Sequence, residues 1–145
     1  MKIVIIGASG TVGRAVTEEL SRRHEVIRVG RTQGDEQVDL TSQPSVQALL
    51  EKIGPVDALA SASGSLHFGP LATMKDSDFN RGLQDKLLGQ VRLSLTGQPY
   101  LNEGGSIPLI SGIVAHEPSA QGVNATTVNA ALEGVGRAPA RQPPR

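Results

Sequence analysis

The sequence contains no cysteine and only one tyrosine among its 145 residues, and 2% of its residues are aromatic. Without cysteine there is no disulfide, no thiolate metal site and no cysteine nucleophile. The three histidines do not have the spacing of metal ligands, so no metal site is predicted. Acidic and basic residues balance at 14 each, which gives no electrostatic reason to expect nucleic acid or a membrane as a partner. The expected partner is therefore a small molecule.

Long apolar runs are also missing, because the N-terminal "MKIVIIG" reaches glycine after a handful of apolar residues. That run is too short for a signal-peptide core or a membrane span, so we expect a cytoplasmic protein. A chain of this length is near the common size of one domain. The predicted domain covers residues 1–138. Residues 139–145 hold three of the nine prolines and are predicted to be a disordered tail.

Apolar runs typical of strands alternate with segments of helical period, which predicts βαβ units around a parallel sheet. The expected fold class is therefore α/β. The predicted strands cover residues 2–6, 25–30, 37–40, 56–60 and 105–111, although Pro108 is awkward in the last of them. The long predicted helices cover residues 78–95 and 125–137. The first helix is predicted to bury Val12, Ala15, Val16 and Leu20.

A second helix is marked by Thr41 or Ser42 at its start and by Gly54 at its end. Proline at position 44 suits the first turn of a helix. The apolar spacing predicts its buried face, which consists of Val46, Leu49, Leu50 and Ile53.

The turn "GASGTVG" at residues 7–13 joins the first strand to the first helix. Such a turn aims backbone N–H groups and the positive end of the helix dipole at one point, which favours a phosphate. Gly7 permits the tight turn, Gly10 lets a pyrophosphate approach, and Gly13 allows the helix to pack closely on the strand. Ser9 and Thr11 offer hydroxyl groups beside it. An ordinary glycine turn without a ligand is the alternative.

The second strand ends in Gly30, Arg31 and Thr32, where the ribose of a dinucleotide would arrive. An acidic residue there would accept a hydrogen bond from the 2′-hydroxyl. Arg31 instead supplies a planar cation suited to a 2′-phosphate, so NADP(H) is preferred and NAD(H) is the alternative cofactor. The competing interpretation makes Arg31 a solvated loop residue.

These residues resemble the short-chain dehydrogenase/reductase family from residue 1 to about residue 138. "GASGTVG", with Val12 in it, is similar to the cofactor turn of that family, and "VDLT" resembles its adenine-contacting segment, which implies Asp39 and Leu40. "DALASASG" is similar to the stretch that reads Asn-Asn-Ala-Gly in the family. That likeness adds four implied cofactor contacts, Ser61, Ala62, Ser63 and Gly64. The resemblance implies a Rossmann-type doubly wound parallel sheet in three α/β/α layers, with NAD(P) across the carboxyl ends of its strands.

The same resemblance fails at the family's catalytic positions. Ala125 and Asn129 stand where the tyrosine and lysine of YxxxK belong, and Gly112 stands at the serine position. The family's helical asparagine aligns with Lys86. The chain therefore looks most like an atypical subgroup of short reductase-like proteins without YxxxK.

Two residues remain as candidates for the chemistry. Lys86 would supply a proton or a positive charge if partly buried, and Ser111 would orient a carbonyl group. The alternatives are a solvated helix lysine and an ordinary strand-end serine. His67 and His116 fall in loops that the resemblance places near the nicotinamide, although a surface position is expected for each. Tyr100 is expected in a loop that leads into the fifth strand.

The predicted function is that of an NADP(H)-dependent oxidoreductase acting on a small carbonyl or alcohol. The alternative is a catalytically inactive dinucleotide-binding domain that senses the cofactor. Family members continue beyond the last helix with further strands, so "RAPARQPPR" indicates a C-terminal truncation. The fifth strand would then be an exposed apolar edge. Together with the family's dimer helices, this edge predicts a homo-oligomer.

Overall fold

The computed structural model describes residues 1–139 of the chain. Within them five strands form one parallel sheet in the order β3-β2-β1-β4-β5. The strands are β1 Lys2–Ile6, β2 Glu25–Gly30, β3 Glu36–Gln37, β4 Val56–Ser61 and β5 Leu101–Ser106. The predicted α/β class with a parallel sheet is confirmed.

Helices connect these strands. They are α1 Thr11–Leu20, α2 Gln43–Ile53, α3 Asp76–Gly82, a π-helical turn Leu83–Leu87, α4 Leu88–Gly97 and α5 Val123–Arg137. Short 3₁₀ segments occur at Leu71–Thr73, Gln98–Tyr100 and Ile113–Ala115. The helix predicted over residues 78–95 is thus part of a longer helical stretch, residues 76–97, which the π turn interrupts.

The chain divides into two compact units. The first unit comprises Met1–Ser63 and Arg92–Pro108, and it contains the whole sheet. The second unit comprises Gly64–Val91 and the chain from Leu109 onward. The prediction of one domain over residues 1–138 stays a prediction. Apart from Pro139, the predicted tail lies outside the described residues.

In the first unit the sheet is covered on both faces. β1 is almost continuously buried, as expected for a central parallel strand, and this explains its unbroken apolar sequence. One core cluster joins Val4, Ile6 and Val29 to α2 and to Leu93 of α4, and the other joins Ile3 and Ile5 to α1. Helices on both faces of the sheet give this unit the predicted three layers.

The predicted buried face of α1 is partly wrong. Val16 and Leu20 pack against the sheet, but Val12 and Ala15 are exposed, and Gly13 is buried in their place. The physical reason is the close approach of the helix at Gly13, which turns residues 13, 16 and 20 toward the sheet. Val12 therefore lies on the open side of the first helical turn.

The second predicted helix is confirmed. Ser42 caps α2 by accepting a hydrogen bond from the Ser45 backbone N–H, and Gly54 ends the helix with φ +75°. Val46, Leu49 and Leu50 are buried as predicted.

The third predicted strand is present, but its predicted bounds of 37–40 are wrong, because β3 covers Glu36–Gln37, where it pairs with β2. Val38 and Leu40 are nevertheless buried. The backbone leaves the sheet at Asp39, whose N–H donates to the Ser45 hydroxyl at 2.9 Å rather than to a strand. The Val38 N–H still donates to the Gly30 carbonyl at 3.0 Å, and beyond it the burial of apolar side chains continues the strand-like pattern after the strand has ended.

The fifth strand is also misplaced by the prediction. β5 ends at Ser106, and residues 107–112 are irregular, so Ser111 does not end a strand. Proline at position 108 has no N–H for a ladder. Farther along, the fully buried Gln90 side chain replaces a neighbouring strand: it accepts from the Ile110 N–H at 2.9 Å and donates to the Ile110 carbonyl at 3.0 Å.

The same shift overturns the expected apolar edge. β5 has the sequence "LNEGGS", and Asn102 and Glu103 on it are exposed. Polar and charged edge residues oppose strand-to-strand association. The homo-oligomer therefore rests on the family resemblance alone and stays a prediction. Among residues 1–139, no helix combines the length and apolarity required to cross a membrane.

Candidate functional site at the carboxyl ends of the strands

The glycine turn lies at the point where the strand order of the sheet reverses. β1 pairs with β2 on one side and with β4 on the other. Such a switch point is where open α/β sheets bind ligands. The turn begins at Gly7, whose N–H donates to the Val29 carbonyl at 2.8 Å, and α1 starts four residues later.

Two glycines of the turn are required by its geometry. A Cβ atom at Gly13 would collide with the Gly7 carbonyl oxygen, and Gly7 has φ +82°. A Cβ atom at Gly10 would be 3.4 Å from that oxygen, in ordinary contact. Gly10 is also the N-cap of α1 and brings no capping side chain, so the first N–H groups of the helix are left for a ligand.

The end of β4 approaches this turn. A Cβ atom at Gly7 would lie 2.8 Å from the Ala62 carbonyl and 2.8 Å from the Ser63 Cβ atom. Ser61, which is 5% exposed, has a side-chain oxygen without a hydrogen-bond partner among the described residues. A buried hydroxyl without a partner beside a glycine turn is suited to a polar ligand group.

The remaining cofactor candidates lie beyond β2. Arg31 and Thr32 are exposed in the loop after that strand. The Asp39 carboxylate accepts from the Thr41 hydroxyl at 2.6 Å and from its N–H at 2.9 Å. These bonds lower the pKa of Asp39, and the charges of Arg31 and Arg92 lower it further. The Leu40 side chain is buried in the core, and its carbonyl accepts from the Arg92 guanidinium.

In the second unit, the π turn places Lys86 in a buried position. Its Nζ atom donates to Asn129 Oδ1 at 2.6 Å and to the Ser111 carbonyl at 3.5 Å. Burial lowers the pKa of Lys86. Gly64 has φ +135°, and a Cβ atom there would be 2.6 Å from the Lys86 Cβ atom, so the chain passes directly over the lysine stem. The interpretation of Lys86 as a solvated helix lysine is therefore wrong.

Ser111 belongs to the same group of polar side chains. Its hydroxyl lies 3.2 Å from the Asn129 carbonyl and 3.3 Å from Glu133 Oε1, and both of these atoms are acceptors. Glu133 also lies 2.7 Å from His116 Nε2, a contact that lowers the pKa of the Glu133 carboxyl group. Glu133 was missed by the sequence reasoning. Its spacing of four residues from Asn129 on α5 is the signal that would have found it.

Other candidates have structural roles. Tyr100 lies in a 3₁₀ turn just before β5, and its hydroxyl accepts a hydrogen bond from Gln47 Nε2 at 3.0 Å. The backbone N–H of His67 donates to Asn124 Oδ1 at 3.0 Å, and the ring is partly buried. A Cβ atom at Gly112 would lie 3.3 Å from Asn129 Nδ2. Residues 1–139 contain no group of three acidic or histidine side chains placed to hold a metal ion.

The parallel sheet with a glycine turn at its switch point defines the class of dinucleotide-binding α/β folds. Residues 1–143 match the family model described as enoyl-(acyl carrier protein) reductase. The chain therefore belongs to this family of short-chain dehydrogenases/reductases, as the sequence motifs predicted.

Solved structures and curated relatives agree with this assignment. The protein lin1944 from Listeria innocua is 42% identical, with a TM-score of 0.91 over 93% of this chain and 68% of that one. A small-chain dehydrogenase in complex with NADPH is 26% identical, with a TM-score of 0.86 over 93% of this chain and 61% of that one. Hydroxynaphthalene reductase arp2 from Aspergillus fumigatus is 25% identical over 135 residues, covering 77% of this chain. The chain spans 50% and 44% of the lengths of the curated relatives it matches.

Proposed function

We propose that the chain acts as an NADP(H)-dependent oxidoreductase of the short-chain type on a small carbonyl or alcohol. The glycine turn carries this proposal: Gly13 packs without a Cβ atom against Gly7, while Gly10 leaves the helix N–H groups open. The unpartnered Ser61 hydroxyl gives a second polar group for the same cofactor. The solved relative that contains NADPH supports this cofactor class.

We assign the binding roles by position. The N–H groups of residues 11–13 bind the pyrophosphate, with the Ser9 and Thr11 hydroxyls beside them, while the Gly10 N–H donates to the Gly7 carbonyl at 3.1 Å. Arg31 binds the 2′-phosphate, and Thr32 flanks it. The Asp39 carboxylate contacts the adenine beside Leu40, because the Leu40 side chain is buried in the core and the Asp39 N–H and the Leu40 carbonyl already have partners in the chain. The cofactor also contacts the residues that follow Ser61 at the end of β4, which are Ala62, Ser63 and Gly64.

The bound nicotinamide supplies the hydride chemistry. Lys86 provides the proton for the carbonyl oxygen, since burial lowers the pKa of its amine and so makes the proton easier to release. The family's lysine position holds Asn129 and its asparagine position holds Lys86, and in this chain the two side chains form a hydrogen bond. Ser111 directs its hydrogen toward acceptors on α5, which leaves its oxygen free to accept from an alcohol substrate.

Calorimetric titration with NADPH and with NADH tests the cofactor part. We expect Arg31→Ala to weaken NADPH binding roughly tenfold to a hundredfold and to leave NADH binding nearly unchanged, because a charged hydrogen bond to phosphate is lost. Arg22→Ala is the matched control, since the Arg22 side chain forms exposed ion pairs with Glu18 and Glu19 on α1. Equal losses for both cofactors would remove Arg31 from the 2′-phosphate site.

Turnover of diacetyl with NADPH tests the chemistry. Lys86→Met is expected to lower kcat for diacetyl reduction by about a hundredfold or more, the contribution of a positioned acid or base, and Ser111→Ala to do the same for the reverse oxidation of the alcohol product by NADP⁺. Full activity in both variants would exclude these residues from the reaction. A parent that binds NADPH tightly but reduces no carbonyl compound would favour the inactive dinucleotide-binding domain instead.

A further inference from the structure

A charged pair beside the glycine turn lies outside every motif described above. Arg28 is in the middle of β2, and Asp35 lies in the loop that follows. The Arg28 side chain donates to Asp35 through Nε at 3.1 Å and through Nη2 at 2.8 Å, and the Arg28 backbone N–H donates at 2.9 Å. Both carboxylate oxygens are therefore engaged by one arginine.

The backbone fixes this pair in place. The loop folds back on β2, so that the Asp35 N–H donates to the Arg28 carbonyl at 2.8 Å. Gly34 has φ +108°, and a Cβ atom there would lie 2.7 Å from the same carbonyl oxygen. A Cβ atom at Gly30 would lie 2.6 Å from the Gln33 carbonyl. Two glycines are thus needed to bring the carboxylate back to the strand.

Arg28 and Asp35 share a cavity with the glycine turn. This cavity has a volume of about 330 Å³ and is open to solvent. Its lining includes Ala8 and Ser9 from the turn, Val29 from β2, and both members of the pair. A cation and an anion therefore stand together in the wall of a pocket that adjoins the proposed pyrophosphate site.

The two nicotinamide cofactors differ only at the 2′ position of the adenosine ribose. NAD(H) has a hydroxyl there, which can donate a hydrogen bond to a carboxylate. NADP(H) has a phosphate, which a guanidinium binds with two parallel hydrogen bonds. The Arg28 guanidinium lowers the pKa of Asp35 to about 2, so the carboxylate is an acceptor at neutral pH.

We infer that Arg28 and Asp35 together read the ribose 2′ position. When NADP(H) binds, the Arg28 guanidinium gives up its hydrogen bonds to Asp35 and donates to the 2′-phosphate instead. When NAD(H) binds, the Asp35 carboxylate accepts a hydrogen bond from the 2′-hydroxyl. The pair lets one cavity admit both cofactors, whereas Arg31 favours the phosphate only. This inference rests on the proposed cofactor binding and adds two specificity residues to it.

Two variants with opposite expected effects test the inference. Calorimetric titration of Arg28→Met is expected to show NADPH binding roughly ten- to a hundredfold weaker, with NADH binding nearly unchanged. Asp35→Asn is expected to bind NADH several-fold more weakly and NADPH as tightly as the parent or more so, because a negative charge near the phosphate is removed. The ratio of the two dissociation constants thus moves in opposite directions.

The neighbouring ion pair provides matched controls. Lys52 Nζ lies 2.8 Å from Glu36 Oε2, so Lys52→Met and Glu36→Gln break a similar exposed bridge next to the same loop. Both controls are expected to keep the parental ratio. Ratios that move together in Arg28→Met and Asp35→Asn, or stay parental, overturn the inference while the parent's NADPH binding still stands. A folded parent that binds neither cofactor overturns the proposed function and this inference with it.

Discussion

At the scale of single residues, Gly13 tolerates the least change in the cofactor turn. We expect Gly13→Ala to lower the free energy of unfolding by at least about 1–3 kcal/mol, because its Cβ atom would displace the Gly7 carbonyl. Chemical denaturation measures this loss.

Gly134→Ala is the control for that substitution. It lies in α5 with no atom within 4 Å of its added Cβ, so alanine is expected to stabilise the chain by about 0.5–1 kcal/mol. If the two substitutions changed the free energy of unfolding equally, the close contact between Gly13 and Gly7 would not contribute to stability.

The second prediction at this scale concerns the pKa of Lys86, which depends on the burial of its side chain. Burial lowers its pKa from the ordinary 10.5, so the folded state holds the proton less well than the unfolded state. This cost is fully present below the lowered pKa and disappears as the pH rises to 10.5. The unfolding free energy of the parent should therefore rise relative to that of Lys86→Met between neutral pH and 10.5. A constant difference over this range would mean that the amine is solvated.

At the scale of elements, the Gln90 side chain forms the backbone hydrogen bonds that a neighbouring strand would form. Gln90 binds both the N–H and the carbonyl of Ile110, where the sequence predicted strand pairing. The π turn at Leu83–Leu87 lies just before it on the same helical stretch and sets the position of Lys86. One interrupted helix thus holds both the proposed proton donor and the support for the segment that carries Ser111.

We expect Gln90→Met to lower the free energy of unfolding by about 1–3 kcal/mol, because a buried N–H group loses its acceptor without loss of side-chain volume. Urea denaturation with circular dichroism measures the change. Gln84→Met alters an exposed glutamine of the π turn and should stay within about 0.5 kcal/mol of the parent. A similar loss in both variants would contradict the bridging role of Gln90.

At the scale of the whole molecule, cofactor binding should appear as stability. A ligand that binds only the folded chain adds about 2.7 kcal/mol to the free energy of unfolding when its concentration is 100 times the dissociation constant. We expect NADPH to stabilise the chain against urea by about this amount. Arg31→Ala at the same NADPH concentration should gain less, and no gain for the folded parent would argue against cofactor binding.

The strand-turn-helix of residues 2–20 could be predicted from the sequence because its signals are local. An unbroken apolar run fits a strand buried on both faces, and glycines three residues apart fit a turn without room for side chains. The strands predicted over residues 37–40 and 105–111 have wrong bounds, because strand pairing ends at residues 37 and 106 while most of the apolar side chains beyond these points are buried or partly buried.

Local sequence therefore determined the α/β class, the glycine turn and most helix positions. Only the tertiary structure decided which distant groups meet: Lys86 with Asn129, 43 residues apart, and Gln90 with Ile110, 20 residues apart. The physical reason is that periodicity fixes which face of an element is buried, whereas a hydrogen bond between elements depends on their packing to within a fraction of an ångström.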